Sequence, residues 1–253
     1  MADRLTLTLF KGCSASELRD AIDQSALECG GKVFWKAGKG SPGVYLGLYH
    51  NDTTHSAIVY QEPASWFFDK VGGRLDIPWM ELRGQEGSHW DYSLMKGSES
   101  LGAYSSYPQY WDDDPEFVKS HEGDPELLAK LWDVPLEKID RYHLQWGEML
   151  SESEFSLTVE KIHSEHVTVE RNDLETLLKG ARPKYARQGK AYPHDKHEYG
   201  DHWQMMDFLH ALGGQDPRDE GDRHHIVLPE PKRPSPKLSW FQRLSRAWRR
   251  MTR

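Results

Sequence analysis

The stretch Met80-Glu81-Leu82-Arg83-Gly84-Gln85-Glu86-Gly87-Ser88-His89-Trp90-Asp91-Tyr92-Ser93-Leu94 decides the fold. Met80 and Leu82 alternate with Glu81 and Arg83, and Trp90, Tyr92 and Leu94 alternate with Asp91 and Ser93. A period of two is that of a strand with one apolar face. Gln85-Glu86-Gly87-Ser88 supplies a turn between the two runs, and Lys96-Gly97-Ser98 supplies a second. A meander is therefore expected, with a third strand near 100–105.

Upstream, Leu5, Leu7 and Leu9 alternate with Thr6 and Thr8 and predict a first strand. Ser14 and Glu17 have the spacing of a capping box. They open a helix over about 15–29, whose stripe of Leu18, Ala21, Ile22, Ser25 and Cys29 stops at Gly30-Gly31. Strands are expected at about 32–36, 44–49 and 56–61, and the aromatic run Trp66-Phe67-Phe68 is read as a short segment ahead of Gly72-Gly73.

Downstream, helical spacing takes over. Asp124 as N-cap and Pro125 behind it predict a helix through Leu127, Leu128 and Leu131. Pro135 opens another through Ile139, Tyr142 or His143, and Trp146. A short strand at Val167 and Val169 leads to an Asn172-capped helix with Leu174, Leu177 and Leu178. Asp201 caps a last one with Met205, Phe208, Leu209 and Leu212. Strands come early and helices late, so the expected class is α+β, with a mostly antiparallel N-terminal sheet. The division expected is an α+β domain over 1–150, a smaller helical portion over 151–214, a Pro-rich linker over 215–237 and a terminal helix over 238–253. Ile226-Val227-Leu228 is expected to pin the linker as an edge strand.

The 253 residues include ten Trp, eleven Tyr and eight Phe, ample for a packed core despite a mean hydropathy of −0.78. The net charge of −8 is unevenly spread. Residues 229–253 carry eight Lys or Arg against Glu230 alone, a local charge of +7, which leaves −15 on the other 228 residues. So acidic a body disfavours nucleic acid as a partner. Two cysteines, Cys13 and Cys29, cannot build a disulfide framework, and the start of the chain lacks the apolar run of a signal peptide. No run of about 18 apolar residues is present for a membrane span. The expected location is cytosolic, and the tail permits peripheral attachment at the inner face of a membrane.

That attachment is read from the last sixteen residues. Phe241, Leu244, Trp248 and Met251 recur at spacings of three, four and three, and Arg243, Arg246, Arg250 and Arg253 repeat the pattern two positions later. At about 100° per residue the arginines fall nearly opposite the apolar row, which Trp240 and Ala247 widen. Such a helix seeks an anionic membrane surface, an acidic groove on a protein partner, or the acidic body of its own chain.

Candidate chemistry elsewhere is sparse. His194, His197 and His202, interleaved with Asp195, Glu198 and Asp201, are residue types that bind zinc or another divalent metal, but HxxH…H is no established ligand spacing. A polar loop capping the Asp201 helix is the simpler reading. Asp112-Asp113-Asp114 with Glu116 offers oxygens to a hard cation but lacks the spaced acids and the Gly of a calcium loop. His89 with Asp91 or Glu86 has acid–base potential if a pocket surrounds it. Gly38-Lys39-Gly40-Ser41 is followed by Pro42-Gly43 and reads as a turn. No nucleophile elbow or dinucleotide fingerprint occurs. The expectation is a non-enzymatic binding protein of the bacterial cytosol, immunity- or adaptor-like and without cofactor. The alternative is a metal-dependent hydrolase using His194, His197 and His202.

Overall fold

The computed structural model describes residues 4–35, 44–51, 56–61, 65–85, 89–148, 185–215 and 222–228. The Gly38–Ser41 turn, Glu86, the strand at Val167 and Val169, the Asn172 helix and the terminal segment 238–253 lie outside these residues. The strands are β1 (Arg4–Lys11), β2 (Lys32–Phe34), β3 (Val44–Asn51), β4 (Ser56–Gln61), β5 (Pro78–Gln85), β6 (His89–Lys96), β7 (Glu99–Ser105) and β8 (Asp222–Val227). They form one sheet in the order β2-β8-β3-β4-β1-β5-β6-β7, and each of these neighbours pairs antiparallel. With the helices α1 (Ala15–Glu28), α2 (Ser65–Leu75), α3 (Pro115–Ser120), α4 (Pro125–Trp132) and α5 (Gln204–Ala211), the class is α+β as the patterning predicts.

Both faces of the sheet are covered. Leu5, Leu7 and Leu9 of β1 line up with Leu82 and Met80 of β5 and with Trp90, Tyr92 and Leu94 of β6. This face packs under α4, α5 and the segment Ile139 to Trp146. Phe10 and Trp79 point the other way, into Leu18, Ile22, Phe67, Phe68 and Val71 of α1 and α2. The strand positions that alternate with the first face are therefore buried as well: Thr8, Glu81, His89 and Asp91 all lie inside.

The helix signals act as their chemistry requires. Ser14 accepts from the Glu17 backbone while the Glu17 carboxylate accepts from the Ser14 backbone, completing the capping box. Asp124 accepts from the Leu127 N–H at 2.9 Å, with Pro125 in the first turn. The stripe of Met205, Phe208, Leu209 and Leu212 is buried against the sheet.

Four local readings are corrected. The Trp66-Phe67-Phe68 segment belongs to α2, which continues through Gly72 and Gly73. A Cβ on Gly72 would lie 2.2 Å from the Trp79 indole nitrogen, so this glycine lets the helix sit directly on a tryptophan rather than ending it. The helix expected after Pro135 is instead two 3₁₀ turns, Leu136–Lys138 and Asp140–His143, parted by Ile139 at φ −130°. Tyr142 and His143 are both buried in this arrangement. Ile226 and Val227 lie in β8, which is no edge: it is paired with β2 on one side and β3 on the other. Finally Cys29 is the half-buried C-cap of α1, and Cys13 is the buried cysteine, its thiol pushed up to about 12 chiefly by burial.

Candidate binding site

At the end of the sheet where β5 passes to β6, the strand face beneath α2 is polar. Cross-strand register sets Arg83 opposite Asp91, Glu81 opposite Ser93 and Gln85 opposite His89. The Arg83 Nε donates to Asp91 Oδ1 at 2.6 Å and a terminal nitrogen donates to Ser93 Oγ at 3.3 Å, while Glu81 Oε1 stands 3.6 Å from the guanidinium. Asp69 of α2 faces the same group; burial raises its carboxyl pKa and the Arg83 charge pulls it back. Three carboxylates thus surround one guanidinium, leaving the face negative.

His89, wholly buried, joins this face to an aromatic lip. Its ring lies 4.5 Å from Tyr110 and 5.3 Å, edge-on, from Trp111, and its Nε2 is 3.7 Å from Asp91 Oδ2. Gln85 Nε2 donates to the Tyr110 hydroxyl at 3.0 Å. A 3₁₀ turn over Pro108–Tyr110 brings the two aromatics out of the sheet, Tyr110 remaining 45% exposed and Trp111 54% exposed. With ring centroids 5.0 Å apart, the two form one continuous exposed aromatic patch. The acidic run continues from them. Asp112 accepts from the Asp114 N–H at 3.0 Å, and Asp114 caps α3 by accepting from Glu116 and Phe117. Asp112 and Asp114 are thus committed to backbone N–H groups, which is how a short turn meets a short helix.

The histidines of 194–202 are not brought to one point. His194 is exposed and stands 3.8 Å from Asp195, whose oxygens accept from the Tyr142 hydroxyl at 2.7 Å and the Tyr192 N–H at 2.9 Å. His197 and His202 flank Asp201 instead, at 3.3 and 3.7 Å. Asp201, expected as the cap of this helix, instead accepts from the Trp203 N–H at 3.1 Å in the turn just ahead of α5, whose N-cap is Trp203 and makes no side-chain capping bond. Among the described residues no group of three or more His, Cys, Asp or Glu is placed to hold a metal ion.

One buried histidine makes a sharp test of the core. His143 Nδ1 bonds the Ile139 carbonyl at 3.1 Å, and a carbonyl only accepts, so Nδ1 carries the proton. Its Nε2 then accepts from the Tyr92 hydroxyl at 2.7 Å. Burial drives the His143 pKa down to about 4, so the folded protein holds the ring neutral. An unfolded histidine protonates near 6.5, and stability present above that pH is lost as pH falls from about 6.5 towards 4. The loss attributable to this ring is roughly 3 kcal/mol. Urea unfolding of the wild type and of His143→Phe at pH 7.5 and 4.5 checks it: the wild type should lose about that much more than the variant. Equal losses would show that the ring does not carry the dependence.

No family model, no curated protein and no solved structure matches this chain. The functional argument therefore rests on the site's own chemistry.

The sequence offers Asp112, Asp113, Asp114 and Glu116 only as oxygens for a hard cation. The signal it carried was a Tyr-Trp pair directly ahead of three aspartates. Arg83 and Asp69 were not singled out, because their pairing depends on cross-strand register and helix placement.

Proposed function

We propose that this is a non-enzymatic binding protein, immunity- or adaptor-like, that takes a cationic and partly apolar segment on the lip formed by Tyr110 and Trp111. The observation that carries the reading is the half-open Trp111, edge-on against buried His89 and followed by Asp112, Asp113 and Asp114. An arginine or lysine arriving there meets ring faces and carboxylates together, while its neighbours cover the apolar area. The rings are already fixed by Gln85 and His89, so little ordering entropy opposes binding. Among the described residues no helix is long and apolar enough to cross a membrane. Residues 238–253 supply, in this reading, a second docking element for a partner or for the anionic inner face of a membrane.

The test is titration of the full chain with an arginine- and leucine-rich helical peptide and with its arginine-to-glutamate counterpart. The basic peptide should bind and the acidic one should not. Trp111→Ser should weaken binding about 30-fold, the effect of losing an interface anchor worth about 2 kcal/mol. Failure of the basic peptide to bind either the wild type or a Trp248→Glu chain, or indifference to Trp111→Ser, refutes the reading.

A further inference from the structure

We infer that the lip is occupied by the chain's own C-terminal segment, residues 238–253, held in cis. The inference rests on the lip being a binding surface and goes beyond it by naming the occupant. Three observations point the same way.

Charge comes first. The lip sits on a body of charge −15 and presents open aromatics beside carboxylates, while residues 229–253 carry +7. The segment's arginine row and its Phe241, Leu244, Trp248 and Met251 row need the two surfaces that Asp112–Asp114 and Tyr110–Trp111 offer side by side.

Direction is the second. Alternating antiparallel pairing across β8-β3-β4-β1-β5 makes β8 run the same way as β5. The Val227 end of β8 therefore lies at the same end of the sheet as Gln85, and Gln85 is bonded to Tyr110. Ile226 and Leu228 also pack on the α1–α2 side, the side to which His89 belongs. The last described residues of β8 thus lie at the lip's end of the sheet, with the Ile226 and Leu228 side chains on the lip's face.

Reach is the third. Five strand spacings separate β8 from β6, about 24 Å at ~4.8 Å each. Residues 229–237, with Pro229, Pro231, Pro234 and Pro236, span about 28 Å at ~3.1 Å per residue in the extended form that proline favours. Twist lengthens the path, but the sixteen residues beyond add about 24 Å as a helix.

The experiment uses the full chain as wild type, as a lip variant (Trp111→Ser with Asp113→Lys) and as a tail variant (Trp248→Glu). Both Trp111 and Asp113 are exposed, so the lip variant should fold, which near-UV circular dichroism verifies. Trypsin cleavage after Arg243, Arg246 and Arg250 is followed by mass spectrometry. Self-docking predicts slow cleavage in the wild type and at least tenfold faster cleavage in either variant. A labelled synthetic peptide of residues 238–253 should bind the tail variant at least tenfold tighter than the wild type, because the wild-type lip is filled. Equal cleavage rates in all three proteins overturn the inference. So does protection that grows with protein concentration alongside a dimer in light scattering, which would put the segment on a second copy. If the basic probe of the preceding section binds wild type and tail variant equally, the binding reading stands and self-docking falls. If no basic peptide binds either form, both fall.

Discussion

Gln204→Met should cost the protein roughly 2–6 kcal/mol, enough to bring a domain of ordinary stability close to unfolding. Gln204 is wholly buried at the start of α5, and its Oε1 accepts from two indole N–H groups, Trp90 at 3.2 Å and Trp146 at 3.3 Å. Two donors converging on one atom identify it as the oxygen. Methionine keeps the volume but removes that acceptor, leaving two buried indoles to bear a desolvation cost of about 1–3 kcal/mol each. Gln204→Glu retains an oxygen facing both donors and should be milder at a pH where the acid is neutral. Chemical denaturation of the two variants separates the explanations. If Met and Glu behave alike, the bifurcated acceptor is not what stabilises the joint between α5 and the sheet.

Gly123→Ala is the second large effect. Gly123 has φ +75°, and a Cβ there would lie 2.7 Å from His143 Cδ2, 2.8 Å from the Tyr92 hydroxyl and 3.1 Å from Tyr104 Cβ. The left-handed backbone costs an alanine about 1–2 kcal/mol, and forcing a methyl into a packed core about 1–3 kcal/mol more. A loss of roughly 2–5 kcal/mol is expected in a thermal or urea melt. The methyl also pushes between Tyr92 and His143, so the variant should lose part of the acid sensitivity assigned to that ring. A Gly123→Ala protein as stable as wild type would mean that the backbone shifts away at little cost.

What the sequence made legible was whatever depends on near neighbours. The alternation at Met80–Leu94, the capping box at Ser14 and Glu17, and the Asp124-Pro125 helix start are local chemistry, and the structure realises each of them. What it hid depends on distant partners. Gly72 reads as the limit of a short aromatic segment because Trp79, which needs the missing side chain, sits on another element. Ile226 looked peripheral because its partners Val33 and Val44 are more than 180 residues away. The candidate site divides in the same way. The Tyr110–Asp114 run could be read from composition, whereas its fixing by Gln85 and His89 required the register of β5 and β6.

The place of β8 also bears on how the chain is made. Synthesis proceeds from the N-terminus, and β2 finds its partner only when residues 222–227 have been delivered. Until they leave the ribosome, β3 presents its outer row of N–H and C=O groups unpaired, and β2 has no ladder to join. The nascent protein therefore carries a sticky strand edge through most of its translation, which recommends early chaperone contact. A stop codon ahead of Asp222 should yield an aggregating product rather than a shortened working one.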